Sequence, residues 1–179
     1  MRKSTSIILI AMLSFVSLNL LSQSALDQKN GFKDFTLGDK FYKWSSNLSY
    51  FNTLQSGIKV YKYNGTCCRS VYGYGIPEIR IGFDSNDELT AIWLTTEMFQ
   101  KGYEIDKKYT EYGATKDFEK IRDNIESQFG QADGVDGGDG NTALTLYWVG
   151  TKVWMYLSYE YLGVRNGDRS SILLSKVIP

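Results

Sequence analysis

The stretch Ala143-Leu-Thr-Leu-Tyr-Trp-Val149, Gly150-Thr151, Lys152-Val-Trp-Met-Tyr-Leu-Ser-Tyr159 decides how the chain reads. Two runs of alternating apolar and polar residues flank a two-residue linker with glycine first, which suits a type II′ hairpin turn. That turn sets Val149 opposite Lys152 and Tyr147 opposite Trp154. Leu144, Leu146, Trp148, Val153, Met155 and Leu157 then share one face, and Thr145, Tyr147, Lys152, Trp154, Tyr156 and Ser158 share the other. The first row is the candidate core. Each buried side chain in it contributes about 1.5–3 kcal/mol. Ordering each residue costs about 1–2 kcal/mol, so the ribbon needs a cover.

A helix over 116–129 is the expected cover. Phe118, Ile121, Ile125 and Phe129 make one stripe, Asp117 and Glu119 suit the first turn, Thr115 can cap it and Gly130 ends it. Its length of about 21 Å matches the roughly 23 Å of a seven-residue strand. A shorter helix is expected where Phe41, Trp44 and Leu48 recur at helical spacing. Further strands are expected at 58–63 and 66–71 around Asn64-Gly65, at 78–83 and 89–95, and at 171–177, returning through Asn166-Gly167. The pattern predicts an α+β fold in a single domain. Its antiparallel sheet has about seven strands built from hairpins, with two helices, the longer one packed on the sheet.

Residues 1–24 read as a cleaved secretory signal peptide. Arg2-Lys3 precedes an apolar run from Ile7 to Leu21, and Ser22-Gln23-Ser24 offers small residues for cleavage. The alternative is an uncleaved N-terminal anchor. Residues 25–179 then form the exported domain, secreted or periplasmic, with no transmembrane segment in the mature chain. Twenty basic residues balance twenty acidic ones, and no Lys/Arg run exceeds two, which argues against nucleic-acid binding.

The chain has no histidine, which excludes Ser-His-Asp and Cys-His catalysis and removes the commonest metal ligand. No phosphate-cradling or dinucleotide motif is present and no cofactor is implied. Cys67-Cys68 are redox candidates. On an extended strand their side chains point to opposite faces, which leaves unpaired thiols, a strained vicinal disulfide or an intermolecular bond as alternatives. Asp133, Asp136, Asp139 and Asn141 offer oxygen ligands for calcium, although their spacing departs from an EF-hand loop. Glu97, Glu104, Asp106 and Glu111 sit in or beside the long connection 97–114, the place for a carboxylate pair.

The better functional candidate is the second face of the hairpin. Tyr147, Trp154 and Tyr156 have apolar bodies and polar tips, as binding surfaces favour, and Tyr61 and Tyr63 extend the set if their strand lies alongside. The bland alternative is that a helix buries this row as a second core. The expected function is an exported non-enzymatic binding or interaction domain for an unknown protein or glycan. The alternatives are a small carboxylate-dependent hydrolase and a calcium-stabilised envelope component.

Overall fold

The computed structural model describes residues 25–98, 116–137, 143–161 and 168–176. Their strands are β1 (Gly31–Phe32), β2 (Phe35–Thr36), β3 (Leu48–Thr53), β4 (Lys59–Tyr63), β5 (Ser70–Val71), β6 (Tyr74–Gly75), β7 (Glu78–Phe83), β8 (Leu89–Met98), β9 (Gly134–Gly137), β10 (Ala143–Val149), β11 (Val153–Tyr161) and β12 (Asp168–Lys176). Eight of them form one antiparallel sheet in the order β3-β4-β7-β8-β12-β11-β10-β9. The hairpins β7–β8 and β10–β11 are each contiguous in sequence, and β12 enters between them and joins the two halves. The expected α+β class holds, with two short ribbons, β1–β2 and β5–β6, added outside the main sheet.

One face of the sheet is the core. Leu144, Leu146, Trp148, Val153, Met155 and Leu157 are all buried there, as the alternation predicts. The helix Lys116–Phe129 covers this half of the sheet with Phe118, Ile121, Ile125 and Phe129. Gly130 ends it in a left-handed conformation, and the Trp148 indole donates to the Gly130 carbonyl at 2.9 Å, tying the helix end to β10. The other half, over β4 and β7, is covered by an aromatic layer. Phe35 meets Trp44 at 4.6 Å and Tyr63 at 5.0 Å, and Phe41 meets Tyr61 and Phe83 at 5.1 and 5.2 Å.

Several local expectations fail, each for an identifiable reason. The shorter helix is two 3-10 turns, Phe41–Lys43 and Ser45–Asn47, after which Leu48 begins a strand. The hairpin around Asn64-Gly65 does not form: β4 pairs with β3 and β7, and Ser70–Val71 pairs with Tyr74–Gly75. Arg69 overrides the turn signal. Its guanidinium donates to the carbonyls of Tyr63 (2.7 Å), Gly65 (3.1 Å) and Pro77 (2.8 Å), winding the chain into a compact turn instead of a strand.

The central hairpin keeps its faces but not its register. Tyr147 lies opposite Tyr156, and Val149 opposite Trp154. The pairing has slipped by two residues, which leaves every side chain on its expected face. The reversal runs over Gly150–Val153, with Thr151 and Lys152 at its tip and the Gly150 amide bonded to the Val153 carbonyl at 2.9 Å. Asp27, from helical residues 25–29, explains the shift. Its carboxylate accepts from the amides of Thr151 (2.9 Å), Lys152 (2.8 Å) and Val153 (3.1 Å) and from the Thr151 hydroxyl. Gly150 is needed because a Cβ there would strike the Asp27 carboxylate. No helix among the described residues is long and apolar enough to cross a membrane.

Candidate functional site

The opposite face of the sheet is uncovered by any element among the described residues. The 3-10 turns that could have formed a second core on it pack on the helix side, against Tyr61 and Phe83. Strand register brings one continuous row onto this open face: Lys62, Arg80, Trp93, Leu173, Tyr156, Tyr147 and Gly134, each directly opposite the next. Trp154 lies in the adjacent row, one step from Tyr156. Their rings are 6.1 Å apart, and the Tyr147 and Tyr156 rings 6.5 Å apart. Trp154 is 39% exposed, and Tyr147 and Tyr156 are half-buried.

Glycines on neighbouring strands decide how the rings lie. A Cβ on Gly134 would strike the Tyr147 phenol, so that ring occupies the space a side chain on β9 would fill. A Cβ on Gly82 would meet the Trp93 indole at 3.0 Å, so Trp93 leans across β7 in the same way. Neighbouring rings of the band are tilted to one another, Tyr147 to Tyr156 by 44° and Trp154 to Tyr156 by 53°. On the other side of the row runs a second, hydroxyl-bearing one: Thr95, Ser171, Ser158 and Thr145, again directly opposite one another. The Thr145 and Ser158 hydroxyls are 3.1 Å apart. Burial, and then the neighbouring Tyr147, push the Tyr156 phenol above its ordinary range, so it stays a neutral donor. Charge lies at the ends of the band and along its hydroxyl border, where Glu160 is opposite Arg169 one row beyond Ser158 and Ser171. Arg80 pairs with Glu78 and stacks over the exposed Phe51 ring at 3.9 Å, and Asp136 sits on edge strand β9.

Tyr61 and Tyr63 do not join this surface. Tyr61 is directly opposite Ile81 and faces the helix side, and Tyr63 is buried in the aromatic layer. Four strands separate β4 from β10, and its tyrosines point the wrong way. Alternation within β4 and β10 is readable from sequence, but which tyrosines share a face depends on pairings across the whole sheet. Trp93 and Leu173 are the members sequence reasoning missed. The signal was available in the alternation of 89–95 and 171–177, once β12 is placed between β8 and β11.

The calcium candidates divide. Asp139 and Asn141 lie outside the described residues. Asp133 accepts the Val149 amide at 2.7 Å, and Asp136 lies opposite Thr145 in the β9–β10 pairing. Glu104, Asp106 and Glu111 also lie outside the described residues, as does the Glu97 side chain. A cavity of about 240 Å³ opens between the helix, β1 and the β5–β6 ribbon, with Leu94, Met155 and Leu174 on its floor. It falls below the roughly 300–1,000 Å³ of small-molecule sites.

Cys67 and Cys68 are not on a strand. They sit in the turn that Arg69 winds, and Cys68 adopts a left-handed φ of 66°. Their Sγ atoms therefore meet, 2.8 Å apart, which the expected extended geometry forbids. Cys67 Sγ is 3.0 Å from the Tyr63 hydroxyl, and Cys68 Sγ is 3.7 Å from the Asp34 carboxylate. Burial, reinforced by the bond to Cys67, pushes the Cys68 thiol up to about 12. Burial and the same Cys67 contact raise the Tyr63 phenol to about 12.

Comparison with known protein families, with characterised proteins and with solved structures finds no match. The functional reading therefore rests on the chemistry of the open face.

Proposed function

We propose that this chain is an exported, non-enzymatic domain that binds a neutral glycan on the open face of its sheet. The observation that carries the reading is the cluster of partly exposed rings formed by Tyr147, Tyr156 and Trp154, bordered by the Thr145–Ser158–Ser171–Thr95 hydroxyls. A sugar ring has an apolar C–H face and a rim of hydroxyls. The aromatic faces suit the first, and the hydroxyl row suits the second. Between Arg80 and Gly134 the aromatic row carries no charged residue, and Glu160 and Arg169 beyond the hydroxyl row are of opposite sign, which favours a neutral chain over an acidic one. An extended polysaccharide also suits a row of side chains that crosses several strands. Export is inferred from the basic, apolar and small-residue order of residues 1–24.

Affinity electrophoresis in gels containing a soluble β-glucan, a xylan or a mannan tests the proposal. At least one polysaccharide should retard the protein. Trp154→Ala should weaken retention about tenfold, the equivalent of about 1.4 kcal/mol for one well-made aromatic contact. Its stability should stay within about 0.5 kcal/mol of the parent, as for an exposed position. Absence of retardation in all three gels, or unchanged retention by Trp154→Ala, would overturn the glycan reading. Unfolding of that variant would make Trp154 a structural residue.

A further inference from the structure

We propose that Cys67 and Cys68 form a reversible vicinal disulfide, a redox-modifiable site built into the turn between β4 and β5. Four side chains converge there: Tyr63 at the end of β4, the two cysteines in the turn that follows, and Asp34 at the tip of the β1–β2 ribbon. The Asp34 carboxylate and the two sulfurs lie within 4.8 Å of one another, which also resembles a metal site. The distances decide against a shared metal. Zinc–sulfur bonds of about 2.3 Å at tetrahedral angles hold two thiolates roughly 3.7 Å apart. Here the sulfurs are 2.8 Å apart, already poised to bond to each other.

The turn supplies what a strand cannot. The left-handed conformation at Cys68 swings its side chain toward that of Cys67, and the Arg69 guanidinium clamps the surrounding carbonyls. Burial also divides the roles. Cys67 is partly exposed and open to attack on an external disulfide, while Cys68 is buried behind it. The Cys67 thiolate attacks a small-molecule disulfide R–S–S–R, forming Cys67–S–S–R and releasing one R–S⁻, which takes up the Cys67 proton. Cys68 then attacks Cys67 Sγ, forming the Cys67–Cys68 bond and expelling the second R–S⁻ with the Cys68 proton. Two cysteine thiols are oxidised by two electrons, and one external disulfide is reduced to two thiols.

The product differs from a structural staple. Adjacent Cα atoms are about 3.8 Å apart, short of the 4.4–6.8 Å that disulfides prefer, so the bond is strained and readily reduced. It closes no loop and so adds no chain-entropy stabilisation. Oxidation also removes the Cys68 hydrogen, for which Cys67 Sγ and the Asp34 carboxylate are the two acceptors, and so takes away the contact to the β1–β2 tip.

The full chain equilibrated with a series of reduced-to-oxidised glutathione ratios, acid-quenched, denatured and labelled with maleimide tests the site. Both thiols should disappear together as the ratio turns oxidising and return together on reduction, in a monomer that melts no higher than the reduced form. Cys68→Ser should accumulate one glutathione on Cys67, and Cys67→Ser should accumulate none. Persistent reactivity of both thiols in excess oxidised glutathione, a stable glutathione adduct on the parent protein, or a disulfide-linked dimer would each overturn the proposal. The titration of the parent decides the matter even where a variant fails to fold. Polysaccharide retention, measured separately in both redox states, stands or falls with the open face and not with this site.

Discussion

Two reversals in this molecule, Gly150–Val153 and the turn at 64–69, are each held by one charged side chain, and the two charges work in opposite ways. At 64–69 the residue is Arg69, which belongs to the turn itself and gathers carbonyls from 4 to 8 residues away. At Gly150–Val153 the residue is Asp27, which reaches across 124 residues of chain and gathers amides. The local clamp shapes its own loop. The distant one fastens helical residues 25–29 to a hairpin that its own side chains already hold together. Removing Arg69 should therefore dismantle a turn, whereas removing Asp27 should release a contact.

The largest effect is expected at Arg69. Hydrogen bonds to a charged partner contribute about 1.5–3 kcal/mol each but are not additive. Arg69→Met retains the apolar stem and leaves the Tyr63, Gly65 and Pro77 carbonyls without their donor. It should cost about 3 kcal/mol, seen as a lower urea midpoint at unchanged slope. A loss under 1 kcal/mol would mean that water replaces the guanidinium and that the turn is held by something else.

The same comparison shows how much was legible beforehand. The helix over 116–129 and the buried row of the central hairpin follow from side-chain period alone, because burial on one face enforces it whatever the partner strand. Register did not follow. Gly150-Thr151 and Asn64-Gly65 are both good local turn signals, and each was overridden by a single ionic group whose target no local pattern reveals. The open aromatic face was half legible. Alternation put Tyr147, Trp154 and Tyr156 together, but the lie of the Tyr147 ring depends on Gly134, which becomes its neighbour only through pairing of β9 with β10. Cys67-Cys68 escapes the pattern for the same reason as the turn: alternation reads as a strand where Arg69 winds a coil.

Asp27→Asn should cost less, about 1 kcal/mol, because the amide oxygen still accepts and the site borders solvent. This cost should depend on pH. Burial acts to raise the Asp27 pKa, but the bonds from Thr151, Lys152 and Val153 outweigh it, and the carboxyl sits below its ordinary value of 3.8. A depressed carboxylate contributes its stabilisation in full above the unfolded value and loses it as pH falls through the folded one. The gap in stability between parent and Asp27→Asn should thus be constant at neutral pH and close only below about pH 4. Arg69 stays charged throughout, so its variant should show no such closing. A gap that closes nearer pH 6 would assign the effect to another group.

The smallest effect is the sharpest probe of the difference. Gly150 is not needed for a left-handed turn, since its φ is not positive; it is needed because Asp27 presses against it. Gly150→Ala should therefore destabilise the parent by about 1 kcal/mol and cost less in an Asp27→Ala background, where only the Val153 carbonyl still opposes the methyl group at 2.8 Å. The coupling between the two positions should come to at least about 0.5 kcal/mol in a double-mutant cycle read from urea midpoints. Strict additivity would show that the glycine serves the hairpin alone. In that case the two-residue slip in register would need a cause other than the carboxylate at position 27.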